Sequence, residues 1–404
     1  MEYSRPLVKI LTFSTLYPNK NQPNNGIFVE NRLRHLLKDT KIQAIVVAPV
    51  PWVPSFFKKS KSYGSFVSIP KVETRHNITI HHPRYLVIPK IGWYITPLFM
   101  YLATRNLIKQ LHTKEKFDLI DAHYFYPDGV SAAALAQKLK LPFTITGRGT
   151  DLTLIPKYFL PRKMIEWASK KANALITVSR SLKDILIDLH INPDKIISLR
   201  NGIDLQTFYP LKTNNAAKVY SLPTHKKIIL SVGHLVENKG NEFTIRALGS
   251  LPHDFHLVLA GSGPEETKLK KIIHDLHLND RVTFLGQVPH HDLIKLYNAA
   301  DCLILASSRE GWPNVLLEAI ACGCPVVSTR VNGTPEIILK PEAGILIDDR
   351  KPESIAKGIL ELFKNLPSRA ETSSYAKDFT WKETSLGQEK IFKKICKEHK
   401  EKRS

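Results

Sequence analysis

The sequence predicts an α/β protein of two doubly wound domains, each a parallel sheet with helices on both faces. Short, near-continuous apolar runs alternate with amphipathic segments from the start of the chain, as in KILTFST, GIFVENRLRHLL and IQAIVVAPV. Apolar runs of this kind are typical of strands that are buried on both faces of a parallel sheet. The chain has 404 residues. Because single cores stop growing at about 250–300 residues, two domains are expected.

The alternation starts again after the middle of the chain, and an irregular stretch separates the two series. The second series contains KKIILSVGHL, FHLVLAGSG, CLILASS and CPVVST, and it follows LKTNNAAKVYSLPTHKK, which is polar and poorly periodic. We therefore predict an N-terminal domain over residues 1–205 and a C-terminal domain over residues 206–375. A last helix is predicted over residues 376–404, with an apolar face formed by Trp381, Leu386, Ile391, Phe392 and Ile395.

Composition indicates a folded protein of a reducing compartment. Hydrophobic residues make up 43% of the chain, which excludes a disordered protein. The N-terminus enters a strand pattern without a basic region followed by a long apolar segment, so no secretory signal is expected. Cys302, Cys322, Cys324 and Cys396 lie in apolar or helical contexts and lack the spacing of a zinc site, so we interpret them as small buried hydrophobes.

Basic residues are concentrated in the first half of the chain. Residues 1–200 contain 30 Lys and Arg against 13 Asp and Glu, whereas residues 201–404 contain 28 against 24. This imbalance indicates an anionic partner, for which we consider a membrane leaflet and an acidic lipid-linked acceptor first, and nucleic acid third. A basic face that only keeps the protein soluble is the alternative interpretation.

Residues 307–336, SSREGWPNVLLEAIACGCPVVSTRVNGTPE, carry the most chemical information. Pro313 is acceptable in the first turn of a helix, where a missing N–H costs nothing, so a helix is predicted to begin near Trp312. The first free amides of this helix, at Asn314 and Val315, would form a site for an anion such as a phosphate.

Two carboxylates accompany this helix start. Glu310 precedes it, and Glu318 is predicted about two turns into the helix. Carboxylates accept hydrogen bonds from hydroxyl groups. A nucleotide diphosphate-sugar offers a pyrophosphate for the amides and hydroxyls for the carboxylates. The agreement of several independent features favours a functional site over an ordinary helix.

This stretch resembles the E-x7-E signature of the family 4 retaining glycosyltransferases, which transfer sugars from nucleotide-sugar donors. The similarity continues through ACGCPVVSTRVNGTPEI, where Asn332 replaces the first glycine of the usual pair. An asparagine tolerates a left-handed backbone better than most residues. The resemblance implies the GT-B fold, in which two Rossmann-like domains face each other across a cleft, and it implies that the last helix returns to the N-terminal domain.

Three segments of the predicted C-terminal domain also resemble the family. In SVGHLVENKG, Gly233 and Lys239 match the motif, whereas His234 replaces the usual arginine and offers at most two donors. The turn LAGSGPEE, with Gly263, and the segment RVTFLGQV, with Val288, resemble segments that relatives place near the donor nucleotide. The resemblance implies that these residues bind the donor and that Lys239 stabilises the charge that grows on its diphosphate.

The predicted N-terminal domain contributes three more positions. The loop STLYPNKNQPNNGIFVE resembles a family loop in which Gly26 lets the backbone approach the donor phosphates or the acceptor. His123, after DLIDA, resembles a histidine whose backbone or ring approaches the C6 hydroxyl of the sugar. Arg148 lies in GRGTD, which resembles the R-G-x-D subgroup associated with exopolysaccharide or cell-wall glycan assembly of the teichuronic acid type. The resemblance implies that Arg148 reaches a phosphate and that Asp151 binds the acceptor or holds the loop.

The most hydrophobic stretch outside the strands is residues 83–111. It is interrupted by Pro89 and Pro97 and bordered by Lys90, so it is not a membrane-spanning helix. Two interpretations stay open, a segment that lies in the plane of a membrane interface with Trp93 and its aromatic neighbours, and a buried helix.

Together these features predict a cytoplasmic retaining glycosyltransferase, peripheral on the inner face of the membrane. It would move a hexose from a UDP- or GDP-sugar to a glycan or lipid-linked acceptor in cell-surface polysaccharide synthesis, with Glu310, Lys239 and His123 as catalytic residues. No metal is expected, since Asp-x-Asp is absent and Lys239 with the helix start can take its place. No other cofactor and no nucleic-acid partner is expected. The alternatives are a GT-B-type phosphorylase or epimerase and a non-catalytic protein that binds a nucleotide sugar or a glycan.

Overall fold

The structure is a computed structural model that describes residues 8–54, 64–88, 92–212 and 216–403. The chain divides into two compact units, Met1–Asn201 with Trp381–Ser404, and Gly202–Thr380. The sequence predicted domain boundaries after residues 205 and 375, and the structure divides the chain after residues 201 and 380. The last helix therefore belongs to the first unit.

The first unit contains ten strands in the described residues, and eight of them form one sheet. Its strands are β1 (Lys9–Phe13), β2 (Gln43–Val47), β3 (Val50–Pro51), β4 (Val72–Arg75), β5 (Ile78–His81), β6 (Arg84–Tyr85), β7 (Leu119–His123), β8 (Phe143–Gly147), β9 (Ala174–Thr177) and β10 (Ile196–Ser198). The strand order is β10-β9-β8-β7-β1-β2-β5-β4, and β3 pairs separately with β6. β4 runs antiparallel to β5, and the other neighbours pair parallel. Every residue of β7 and β8 is buried, as expected for strands covered on both faces.

Helices cover this sheet with their apolar faces. They are α1 (Ile27–Asp39), α2 (Gly64–Val67), α3 (Thr96–Glu115), α4 (Val130–Leu139), α5 (Thr150–Thr153), α6 (Phe159–Lys171) and α7 (Arg180–Asp188). In α1, Val29, Leu33 and Leu36 recur at helical spacing and pack in one core cluster with β1. The same cluster contains the sheet residues that face this helix.

The second unit is a six-stranded parallel sheet in the order β13-β12-β11-β14-β15-β16. Its strands are β11 (Lys227–Val232), β12 (Phe255–Ala260), β13 (Val282–Gly286), β14 (Cys302–Leu305), β15 (Val326–Thr329) and β16 (Gly344–Ile347). Its helices are α8 (Ala216–Val219), α9 (Asn241–Gly249), α10 (Glu266–Asp275), α11 (Leu293–Ala299), α12 (Asn314–Ala321), α13 (Thr334–Ile337), α14 (Pro352–Lys364) and α15 (Arg369–Tyr375). The predicted α/β class with two doubly wound domains is confirmed.

The last helix, α16 (Trp381–Glu401), packs into the core of the first unit through Ile391, Phe392 and Ile395. One member of its predicted apolar face was wrong, because Leu386 is 45% exposed. Gln388 is buried on this helix instead and makes hydrogen bonds there.

Within its described residues, the hydrophobic stretch at 83–111 contains β6, the turn Gly92–Tyr94 and most of α3. Met100, Thr104 and Ile108 are buried on α3, whereas Leu98 and Leu102 are exposed. Pro89, Lys90 and the side chain of Trp93 lie outside the described residues. Across the described ranges, none of the helices combines the length and the apolar character needed to cross a membrane.

Candidate active site

Two loops lie against each other at the carboxyl edge of the second sheet. They follow β11 and β12, which are parallel neighbours, and Leu235 N donates a hydrogen bond to Ser262 O at 3.0 Å. A Cβ atom on Gly263 would lie 2.2 Å from Leu235 O, so only glycine allows this approach. The exposed ring of His234 contacts Ser262 O through Nδ1, and Gly233 lies beside the Lys239 side chain. The structure therefore brings these predicted donor-binding positions together.

Lys239 and Glu310 form an ion pair at this edge. Lys239 Nζ lies 2.6 Å from Glu310 Oε1, and Ser307 Oγ donates to the same oxygen at 2.7 Å. The backbone N–H of Glu310 donates to Asn332 Oδ1 at 3.1 Å. Asn332 has a φ of 40°, in keeping with the left-handed backbone expected there. The Lys239 and Glu310 side chains are 23% and 12% exposed, so the pair is held in place but still open to solvent.

Helix α12 begins at Asn314, two residues later than predicted. Pro313 is the N-cap residue rather than a first-turn residue, because its ψ of 93° is extended. Glu318 therefore lies about one turn into the helix and not two. The first amides of α12 still belong to Asn314 and Val315, as the sequence predicted.

Glu318 is buried between two aromatic residues that the sequence did not indicate. Tyr297 Oη donates to Glu318 Oε2 at 2.8 Å, and His290 Nε2 lies 2.9 Å from Oε1. Burial opposes the charged form of His290, but the Glu318 carboxylate outweighs it and the pKa of His290 is raised. Val288, two residues before this histidine, is also buried. Each Glu318 oxygen keeps a second lone pair for a hydroxyl group.

In the first unit, His123 ends β7 inside a buried hydrogen-bond network. Its Nε2 lies 3.1 Å from Asp121 Oδ2, and Arg148 Nη2 lies 2.5 Å from its Nδ1. Because a guanidinium only donates, Nδ1 accepts and the proton is on Nε2. Burial lowers the pKa of His123 to about 4. The ring is therefore neutral and both of its nitrogens are engaged.

Residues that the sequence did not indicate complete this network. Arg32 Nε donates to Gln388 Oε1 at 2.8 Å, and Gln388 Nε2 donates to Asp121 Oδ2 at 3.1 Å. Arg32 and Arg148 both donate to Asn201 Oδ1, at 3.3 and 3.1 Å. The network thus joins β7 to α1 and α16. A polar residue at a helix position that faces the core, such as Gln388, is the sequence signal that could have revealed it.

The two loops predicted to meet ligand in the first unit are held by close contacts with the protein itself. Asp151 accepts hydrogen bonds from the backbone N–H groups of Phe125 and Gly149, both at 2.8 Å, so it holds the loop that carries Arg148. Gly26 has a φ of 67°, and a Cβ atom there would lie 2.2 Å from the carbonyl carbon of Leu16. The close approach that Gly26 permits is to its own loop.

The four cysteines are buried and unpaired. Burial raises the pKa of Cys324 to about 12, so its thiol stays protonated. In the part of the chain that the structure describes, no group of three or more His, Cys, Asp or Glu residues is placed to hold a metal ion.

Comparisons of the sequence with known proteins identify the family. The family described as Glycosyltransferase Family 4 matches residues 70–207, and Glycosyl transferases group 1 matches residues 212–379. TuaC of Bacillus subtilis, named as a teichuronic acid biosynthesis glycosyltransferase, is 28% identical over 357 residues, 87% of this chain and 88% of that protein. The uncharacterized glycosyltransferase MJ1607 of Methanocaldococcus jannaschii is 34% identical over 305 residues, 72% of this chain and 77% of that protein.

The fold is also that of solved structures. The Anabaena protein HepE in complex with UDP superposes with a TM-score of 0.70 at 19% identity, covering 95% of this chain and 98% of that one. The two Rossmann-like units therefore have the GT-B fold. The chain belongs to glycosyltransferase family 4, as its E-x7-E segment indicated.

Proposed function

We propose that this glycosyltransferase moves a hexose from a UDP- or GDP-sugar to a glycan or lipid-linked acceptor and retains the anomeric configuration. The observation that carries the proposal is the pair of Lys239 and Glu310 beside two glycine loops at the carboxyl edge of a parallel sheet. Ligands of open α/β sheets bind at this edge. HepE, solved with UDP, supports a nucleotide-sugar donor.

In the proposed reaction, the bond between the anomeric carbon and the diphosphate oxygen breaks, and the diphosphate leaves with the electron pair. The acceptor hydroxyl forms the new bond on the same face, and its proton passes to the leaving diphosphate. One N–H of Lys239 donates to Glu310, so two others are available to the diphosphate. A fixed cation at this position stabilises the charge that develops there.

The carboxylates would hold the donor through its hydroxyl groups. Both hydrogen bonds to the Glu310 carboxylate end on Oε1, and none of the described residues donates to Oε2. That oxygen can accept from the hexose, while Glu318 accepts from the ribose and Asn314 and Val315 offer amides to the pyrophosphate. We propose that no metal takes part, and that Lys239 and the start of α12 neutralise the diphosphate instead.

The first unit and one relative support the proposed acceptor and cellular role. The R-G-x-D segment at Arg148 and the resemblance to TuaC support action in cell-surface polysaccharide synthesis at the inner face of the membrane. The ring of His123 is enclosed. We therefore propose that it positions the loops around it and that only its backbone approaches the sugar.

Titration calorimetry of UDP-, GDP- and ADP-glucose tests the donor part of the proposal. Glu318→Gln should weaken binding of the preferred donor by about 1–3 kcal/mol, the cost of losing a hydrogen bond to a charged group. Glu361→Gln, at an exposed position of α14, is the matched control and should bind as the wild type does. Unchanged affinity in Glu318→Gln would remove this residue from the site.

The configuration of the product, read by NMR, tests retention. Product with an inverted anomeric centre would contradict the mechanism. Turnover that requires inorganic phosphate, or that proceeds without an acceptor, would favour a phosphorylase or an epimerase. Donor binding without any transfer or hydrolysis would favour a binding protein.

A further inference from the structure

Large apolar side chains are exposed at the start of α6. Tyr158, Phe159 and Leu160 are consecutive and 44%, 76% and 44% exposed, and Trp167 on the same helix is 38% exposed. Phe159 is the most exposed of the large hydrophobic residues in the described ranges. Single exposed apolar residues are ordinary, but a consecutive run of this size marks an interaction site.

Packing of the helix against its own unit does not explain why these side chains are exposed. The opposite face of α6 is already buried through Pro161, Ile165 and Ala168. A helix that buries one face and presents aromatic residues on the other has a second surface to cover.

The segment that carries the exposed apolar residues is also basic. Residues 157–171 contain a single carboxylate, Glu166, which pairs with Arg162 and Lys163 at 3.0 Å each. The basic residues of this segment are Lys157, Arg162, Lys163, Lys170 and Lys171. A net positive charge therefore accompanies the apolar side chains, within the half of the chain that holds most of the basic excess.

This surface adjoins the loops of the site in the first unit. The turn Ile155–Lys157 packs against both α5, which follows the Arg148 loop, and α6. Helix α6 also packs against the turn Phe125–Gly129, which follows His123. A partner seated on α6 would therefore lie next to the loops that carry Arg148 and follow His123.

We infer that residues 157–171, the α6 surface, dock on an anionic lipid bilayer. Aromatic residues combined with lysines on one helix face suit the boundary between acyl chains and anionic headgroups. The apolar run favours a bilayer over a nucleic acid, which would need cations and polar groups instead. The inference deepens the proposed membrane-peripheral function, but its test measures lipid binding and not transfer.

Co-sedimentation of the full chain with vesicles tests the inference. The protein should bind vesicles of phosphatidylcholine mixed with phosphatidylglycerol, should not bind phosphatidylcholine alone, and should be released by high salt. Phe159→Ala should lower the partition coefficient about tenfold, since a large apolar side chain leaves the interface. Lys163→Gln should lower it about fivefold, the equivalent of one basic residue near an anionic surface.

Two substitutions in the second unit serve as matched controls. Leu339→Ala removes an apolar side chain that is 65% exposed, and Lys357→Gln removes a charge from an exposed position of α14. Both should leave vesicle binding unchanged. Equal losses in the controls, or a wild-type protein that stays in the supernatant at low salt, would overturn the inference.

One further variant separates the two membrane-facing candidates. If Trp93→Ala releases the protein and Phe159→Ala does not, residues 83–111 are the docking segment and the α6 surface is not. Calorimetry of donor binding to the same variants separates the proposed donor site from the proposed docking surface. Variants that lose vesicles but bind the donor normally support the α6 surface, whereas a wild type that binds vesicles and no nucleotide contradicts only the proposed donor.

Discussion

The polar residues at the carboxyl ends of the two sheets are organised in opposite ways. In the first unit, His123 and Asp121 are 1% and 0% exposed, and both nitrogens of the histidine ring are engaged. In the second unit, the Lys239 and Glu310 side chains stay 23% and 12% exposed. Buried polar groups that satisfy one another hold a structure in place. A partly open ion pair can exchange its partners for those of a ligand, so the two regions should respond differently to substitution.

The largest effect is expected in the enclosed region. Asp121→Asn removes the carboxylate that accepts from His123 and Gln388 and that lies near two buried arginines. A hydrogen bond to a charged group contributes about 1.5–3 kcal/mol, and this buried carboxylate accepts more than one. Urea unfolding should show a loss of this size. Asp275→Asn, in an exposed pair on α10, should leave the free energy of unfolding nearly unchanged, and equal losses in both variants would contradict the distinction.

Lys239→Met should have the opposite effect to Asp121→Asn, because it should lower turnover more than stability. Removing one group that stabilises a developing oxyanion lowers kcat about 10²–10³-fold. Because the Lys239 side chain is partly open, the free energy of unfolding should change by about 1 kcal/mol or less. Lys268→Met, which breaks an exposed pair with Glu242 in the same unit, should leave kcat unchanged. A Lys239→Met enzyme with normal kcat would remove the lysine from the mechanism.

The pH dependence of stability sharpens the comparison, because two buried groups of the first unit shift in opposite directions. Burial raises the pKa of Asp128 from its ordinary 3.8 to about 7, so its stabilising contribution is complete below pH 3.8 and is lost as the pH rises through about 7. Burial lowers the pKa of His123 from 6.5 to about 4, so its contribution is complete above pH 6.5 and is lost on acidification through about pH 4.

These two contributions oppose each other between about pH 4 and 7. Asp128→Asn removes the contribution that stabilises the protein at low pH, and it leaves the contribution of His123 in place. The free energy of unfolding of the variant should therefore fall more steeply than that of the wild type from pH 6.5 to 4, as measured by urea unfolding in a pH series. Parallel curves for the two proteins would show that Asp128 does not titrate as described.

The sequence predicted the local features of the site and missed the long-range ones. Lys239, Glu310 and Gly263 lie in segments with recognisable spacing, and the structure brings Lys239 and Glu310 together. The start of α12 was placed two residues early, since the ring of Pro313 fixes φ and leaves ψ free. Gln388 was missed because its partners Asp121 and Arg32 are more than 250 residues away in the chain, and an apolar pattern alone favoured Leu386.

The smallest effect is expected at His234, where the sequence departs from the family motif. Its ring is exposed and contacts Ser262 O through Nδ1. Arginine would keep a donor near that carbonyl and add a permanent charge beside the proposed diphosphate. His234→Arg should therefore preserve or raise kcat and change the free energy of unfolding by about 1 kcal/mol or less. His234→Ala, which lacks the donor, is the control that isolates the contact with Ser262. A large drop in kcat for the arginine variant with normal stability would mean that the imidazole has a role of its own that a guanidinium does not supply.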